Sequence, residues 1–224
     1  MKTYGEYCPI AMGAEAIGDR WTPLILRELI CGSERFGEIH NGIPRMSRTL
    51  LAQRLKQLER TEVIEGRLPG PTCHLTPSGL DLESVIWGLG EWATRWLVGD
   101  PAKEHLDGAH LLWRVRQRII DAELPASRVV LQFDFAGAHR GKRIWLLLDP
   151  AGSSVCERDE GFEVDLHVRA DIAEFMRVWA GRSSWQEAIA NGKLELDGPR
   201  PLVRAFPRWF ARSPFAETPT TVPA

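Results

Sequence analysis

Along this 224-residue chain the spacing of apolar residues changes character once. Up to about residue 97 they recur three and four apart, the period of helices packed by one face. From Val129 onward they alternate or run unbroken, the period of strands. A chain written in that order is α+β, with a helical N-terminal part followed by a sheet-containing part. Its length suffices for two small domains, each with its own core. The change falls at Asp100-Pro101, so the expected organisation is residues 1–99, residues 100–215 and a tail, 216–224.

The first part punctuates itself into short helices. CPIAMGAEAIG carries small and apolar residues at helical spacing and stops at Gly18. WTPLILRELICG reads as a helix with Thr22 as N-cap, Pro23 in the first turn and Gly32 closing it. RFGEIHNG is a short helix ended by Asn41-Gly42, and a turn through Pro44 leads to Ser47, a good N-cap for a helix starting at Arg48. EGRLPGPTCHLTP, centred on Pro69-Gly70-Pro71, predicts two short strands and a loop. Thr76-Pro77 then opens a long helix through PSGLDLESVIWGLGEWATRWL. After the leading helix, three helices, a two-stranded ribbon and a final helix are the elements of a winged helix.

The formal net charge of −2 gives no hint of a nucleic-acid partner, but the distribution of charge does. GIPRMSRTLLAQRLKQLER places Arg45, Arg48, Arg54 and Lys56 ahead of its first acidic residue, Glu59. Leu51, Leu55 and Leu58 form a core stripe, and the opposite face carries Thr49, Gln53, Lys56 and Arg60. Most charge runs are solvated helix faces. In a winged helix, however, this helix lies in the DNA major groove with its N-terminal residues toward base edges. Positive charge is then needed where phosphates are neutralised, and counterion release drives the contact. Arg48 and Gln53, with Ser47 and Thr49 beside them, are the candidates for base contact; Arg45, Lys56 and Arg67 are the candidates for phosphate contact. Double-stranded DNA is the expected partner.

The run from Cys8-Pro9 through GDRW (18–21), Leu26-Arg27, Arg35-Phe36, Ser47, QRL (53–55) and LTPSG (75–79) to GEWATRW (90–96) resembles the HxlR family of bacterial winged-helix regulators. The resemblance covers about residues 7 to 97. It implies a homodimer, paired through the first and last helices, that regulates transcription from a pseudo-palindromic operator, with repression the expected sense. The two groove helices would meet half-sites about one helical turn apart. One departure is the wing, RLPGPTCHLTP, which is shorter than usual for the family.

The cysteines, Cys8, Cys31, Cys73 and Cys156, are too far apart in sequence for a zinc or redox pair, so neither a disulfide framework nor a structural metal is expected. By the same resemblance Cys8 is a candidate sensor of oxidants or electrophiles; the competing reading is a small residue packed at the dimer interface. The N-terminus lacks a signal-peptide core and no stretch approaches the roughly 20 apolar residues of a spanning helix, so a cytoplasmic location without membrane insertion is expected.

Beyond residue 100, AKEHLDGAHLLWRVRQRIIDAEL predicts one helix. RVVLQFDFAG, KRIWLLLD, SSVCERDEG and FEVDLHVRA predict strands, the first with Val129, Leu131, Phe133 and Phe135 on one face and the second apolar on both. Helices DIAEFMRVWAG and SSWQEAIANG, a strand KLELDG and a last helix PRPLVRAFPRWFA follow, and the tail TPTTVPA is expected to lack order. Trp179-Ala180-Gly181-Arg182 and ANGKLELDG (190–198) resemble the sterol-carrier-protein domain over about residues 106 to 211. That resemblance implies a sandwich-like, lipid-binding α/β domain with a tunnel for an apolar small-molecule effector. Its candidate walls are Trp113, Phe133, Phe135, Trp145, Phe175, Trp179, Trp185, Phe206 and Trp209, although any one such ring is commonly plain core. His105, His110, His139 and His167 lie apart, with no nucleophile motif or phosphate loop beside them, so neither enzymatic activity nor a cofactor is expected. Two alternatives to the effector-modulated regulator remain: thiol sensing through Cys8, and a lipid-binding protein whose helical half only dimerises.

Overall fold

The computed structural model describes residues 3–66 and 72–222 and is α+β. The chain divides into two compact units, Met1–Gly90 and Glu91–Ala224. That division falls inside a helix, Glu83–Trp96, whereas the change in apolar spacing puts it between residues 99 and 100. The last turn of that helix belongs with the second unit because the Arg95 carbonyl, an orphan acceptor at a helix end, takes hydrogen bonds from Thr221.

The first unit holds α1 (Pro9–Ile17), α2 (Thr22–Ile30), α3 (Phe36–Gly42), α4 (Arg48–Arg60), the ribbon β1 (Ile64–Glu65) and β2 (His74–Leu75), and α5 (Pro77–Asp81). The start of α6 (Glu83–Trp96) completes it. The strands are antiparallel, pairing Ile64 with Leu75 and Glu65 with His74. Two sequence expectations are corrected. Thr22 is the first residue of α2 rather than its cap, which is Trp21, because the turn closes one residue earlier with Thr22 N–H donating to the Asp19 carbonyl. The long helix after Thr76 is two, broken at Leu82, whose N–H bonds the Gly79 carbonyl in a tighter turn. The core gathers Ile25 and Leu26 from α2, Ile39 from α3, Leu51, Leu55 and Leu58 from α4, and Ile64. Burying each such leucine contributes roughly 1.5–3 kcal/mol.

The second unit is built on a five-stranded sheet in the order β5-β4-β3-β6-β7. Its strands are β3 (Val129–Ala136), β4 (Arg143–Leu148), β5 (Ser154–Cys156), β6 (Leu166–Asp171) and β7 (Leu194–Asp197). All neighbours are antiparallel except β3 and β6, which run parallel with Leu131 beside Leu166. Strand alternation sends Val129, Leu131, Phe133 and Phe135 to one face, against α7 (Gly108–Arg116), α8 (Ile172–Trp179), α9 (Trp185–Ala190) and the chain after α10 (Arg200–Ala205). Strand β4 is apolar on both faces, as expected: Ile144, Leu146 and Leu148 join that core, while Trp145 and Leu147 face the other side with Val130, Phe162 and Val164.

Here too the structure departs from the sequence reading. AKEHLDGAHLLWRVRQRIIDAEL is not one helix. Asp107 caps α7 by accepting from Ala109 and His110 N–H, both at 3.1 Å, and Gly108 lies so close to Gly141 that a Cβ would sit 2.2 Å from its carbonyl oxygen. FEVDLHVRA is strand only from Leu166, and the last helix gives way at Phe206 to a 3₁₀ turn containing Pro207. The tail is tied down, since Thr221 donates to the Arg95 carbonyl through N–H at 2.9 Å and Oγ1 at 2.7 Å. No helix among the described residues is long and apolar enough to cross a membrane.

Candidate nucleic-acid interface and the ring cluster of the second unit

Helix α4 begins where sequence predicts. Ser47, in extended backbone, accepts a hydrogen bond from Leu50 N–H at 3.2 Å, satisfying one of the donors orphaned at a helix start. The preceding turn is anchored from inside by buried Ile43 and Met46, which leaves Arg45 exposed between them. Glu28, fully buried, accepts from Arg27 Nε at 2.9 Å, and Arg27 Nη2 donates to the Gly42 carbonyl at 3.0 Å. A Cβ on Gly42 would lie 2.0 Å from the Glu28 carboxylate, so any larger residue here would have to displace that buried group.

With Leu51, Leu55 and Leu58 buried, helical geometry turns Thr49, Gln53, Lys56 and Arg60 to solvent. Thr49, Gln53, Lys56 and Arg60 are all exposed. Arg48 is also exposed, its guanidinium 5.9 Å from the centre of the Phe36 ring. Arg54 is different. It forms an ion pair with Asp19 and donates from Nη1 to Gln57 Oε1 at 2.7 Å, which ties α4 to the turn before α2. Thus Arg45, Ser47, Arg48, Thr49, Gln53 and Lys56 share the start and outer side of α4, and Arg54 is held inside. Ser47 itself is exposed, and its hydroxyl is already engaged as the cap. Arg67, proposed for the wing, lies outside the described residues. Thr76 secures the base of the wing: Oγ1 donates to the Glu62 carbonyl at 2.6 Å and accepts from Gly79 N–H at 3.1 Å.

Cys8 is part-exposed at the N-cap position of α1, without a side-chain capping bond. Cys73 is buried; burial foremost, then the Glu34 carboxylate, pushes its thiol up to about 11. Tyr7, Ile10 and Met12 near and on α1 are more than half exposed, and α6 exposes Val85, Leu89, Trp92 and Trp96 at helical spacing.

The proposed tunnel walls do not form one surface. Phe133, Phe135, Phe175, Trp185, Phe206 and Trp209 pack against one another, with ring centroids 5.2 to 6.3 Å apart from Phe175–Trp185 to Phe133–Phe206. Trp179 packs on the edge of this core. Trp145 lies across the sheet, because a β4 residue that pairs with Gln132 points away from Phe133. Trp113 is buried under the Arg116 guanidinium, 4.3 Å from its ring centre. Near the ring cluster is an arrangement that the sequence did not announce. Arg177 on α8 makes a two-pronged pair with Asp100 (Nε to Oδ1 3.1 Å, Nη2 to Oδ2 2.9 Å), and Arg182 donates to the Gly99 and Val98 carbonyls at 3.1 and 2.6 Å. Arginine-to-backbone bonds between such distant parts of the chain leave no trace in local spacing.

Comparison with known proteins fits this geometry. Residues 16–100 match the family model described as HxlR-like helix-turn-helix. The chain is similar to the uncharacterized HTH-type transcriptional regulator YvaP of Bacillus subtilis, 33% identical over 43% of this chain and 94% of that protein. It is similar also to the HTH-type transcriptional regulator YodB of the same organism, 37% identical over 38% of this chain and 82% of that protein. A solved structure named UbiJ-SCP2 Ubiquinone synthesis protein is similar at 20% identity and a TM-score of 0.31, over 40% of this chain and 69% of that one, a likeness too slight to argue from. Residues 101–224 lie beyond the family match. The chain belongs to the HxlR-like helix-turn-helix family of transcriptional regulators.

Proposed function

We propose that this protein is a cytoplasmic, homodimeric repressor without enzymatic activity. In this reading the first unit binds a pseudo-palindromic operator, and the second, a sterol-carrier-like unit, takes an apolar small molecule that alters DNA affinity. The observation that carries the reading is the outer side of α4, where Arg48, Thr49, Gln53 and Lys56 are all exposed on a capped helix whose inner face is fixed by leucines. Arg48 and Gln53 read base edges; Arg45, Lys56 and Arg67 contact phosphates. The apolar residues left exposed on α1 and α6 support pairing of two copies through these helices.

For an effector to act, it must favour one dimer arrangement over another; tight binding alone shifts nothing. The Arg177 and Arg182 bonds support such coupling, because α8 contributes Phe175 to the ring cluster and holds residues 98–100 directly after α6. The test is binding of full-length protein to its own upstream DNA and to random DNA. Arg48→Ala should lose about 1–3 kcal/mol on the operator and little on random sequence. Equal losses on both would remove Arg48 from base reading, and no preference for the upstream DNA would favour a lipid-binding protein whose helices only dimerise. Native mass spectrometry of protein from its own host tests the second unit: extra non-covalent mass on a dimer supports the effector, and a covalent adduct on Cys8 instead moves the reading to thiol sensing.

A further inference from the structure

The ring cluster of the second unit contains a polar anomaly. Trp209 is fully buried, yet its indole Nε1–H has no hydrogen-bond partner among the described residues, and the buried Nε1–H of Trp179 has none either. Trp87, by contrast, is part-exposed and still donates to Glu83 Oε1 at 2.9 Å. Indole nitrogen is a donor only, so each N–H can be satisfied solely by an acceptor brought to it. Buried donors are nearly always paired, and the exceptions call for a ligand, a water or a function.

The chain segments that carry the two indoles are joined by one backbone hydrogen bond. Ser213 N–H donates to the Trp179 carbonyl at 2.8 Å, and the chain from Trp209 to Ser213 spans at most about 14 Å. Around Trp209 stand Phe206 and Phe210, with Trp185 in edge contact with Phe206. None of these side chains is charged. A carboxylate placed there would be desolvated without a cation, whereas a neutral carbonyl oxygen would take the free N–H at little cost. Trp179 and Trp185 are part-exposed, so the cluster reaches solvent through them.

We propose that this cluster receives a neutral apolar molecule bearing a carbonyl oxygen, held by the indole N–H of Trp209, with Trp179 as the second donor. The proposal rests on the apolar-effector reading above and adds the polar group that the ligand must carry.

The experiment is a titration of the full-length ¹⁵N- and methyl-¹³C-labelled protein with 2-undecanone, followed at the indole N–H and core methyl resonances. The expected result is a saturable downfield shift of the Trp209 indole proton, together with shifts of core methyls such as Leu131 and Val168. Trp209→Phe, which keeps a ring and removes the donor, should weaken binding about three- to tenfold. If that variant loses its fold, the wild-type indole shift decides, with Trp179→Phe as the second variant. Saturable methyl shifts with an unmoved Trp209 indole, and wild-type affinity in Trp209→Phe, would overturn the donor role and leave the apolar-effector reading standing. No saturable shift anywhere in the second unit would overturn both.

Discussion

Two cations two residues apart on α4 should fail in opposite ways. Arg54 is half-buried in its pair with Asp19 and its bond to Gln57, whereas Lys56 is exposed on the outer side. Arg54→Ala removes two charge-assisted hydrogen bonds, each worth about 1.5–3 kcal/mol if fully buried. Solvent reaches both partners, so the loss is discounted to about 1–2 kcal/mol. For a unit of this size each kcal/mol lowers the unfolding midpoint by about 4–8 °C, so a fall of roughly 4–16 °C is expected. Lys56→Ala should leave stability within about 0.5 kcal/mol of the wild type. It should instead weaken operator and random DNA alike, and reduce the slope of log affinity against log salt by about 0.9 for each phosphate left without its cation. Circular dichroism melts of both variants, with fluorescence anisotropy from low to moderate salt, supply the numbers. A stable Arg54→Ala that loses salt-dependent DNA affinity would refute the division of labour drawn from the Asp19 pair.

Glu62 sits at φ 57° in the turn after α4, so Glu62→Gly should stabilise the first unit by about 0.5–1 kcal/mol in chemical denaturation; a loss would show that the Glu62 side chain itself stabilises the turn. Cys73 has its thiol raised from 9.0 to about 11, so in the unfolded chain it ionises first. Stability should therefore fall as pH rises from about 9 toward 11, and Cys73→Ala should flatten that fall. Iodoacetamide at about pH 8 should label the part-exposed Cys8 well before Cys73, and equal labelling would contradict the burial. Hydrogen bonds from Arg177, then its charge and that of Arg182, hold the Asp100 carboxyl below the ordinary carboxylate range. The clamp is therefore intact above the unfolded carboxyl's pKa and is lost as pH falls through the lower folded value. Exchange at Leu97 and Val98 N–H, both bonded to the Ala93 carbonyl, should quicken on that acidification and in an Arg177→Ala/Arg182→Ala variant; unchanged exchange would show that the clamp holds nothing.

What sequence revealed was local or periodic. The Leu51, Leu55, Leu58 stripe and the Ser47 cap depend on neighbours within a few residues, and both stand where spacing puts them. The alternation of β3 and the double-faced apolarity of β4 are legible for the same reason. The failures involve distant partners. A helix through AKEHLDGAHLL is locally sound until Gly108 must approach Gly141, a proximity that no local pattern encodes. Trp145 reads as one more wall ring because ring counting ignores strand parity; its pairing with Gln132 places it on the far face. Arg54 counts among the positive charges of this helix in sequence, and the Asp19 that claims it lies thirty-five residues away. The Arg27–Glu28 pair beneath Gly42, which shapes the turn before α4, is equally silent, since adjacent opposite charges are common on surfaces and these two are instead turned inward.

Footprinting the full-length protein on its own upstream region across a salt series tests whether the exposed cations and amides of α4 bind operator DNA as a paired unit. Two protected half-sites about one helical turn apart are expected, with log affinity falling linearly in log salt and a clear excess over random DNA. A single unphased footprint, or equal affinity for random sequence, would contradict that expectation.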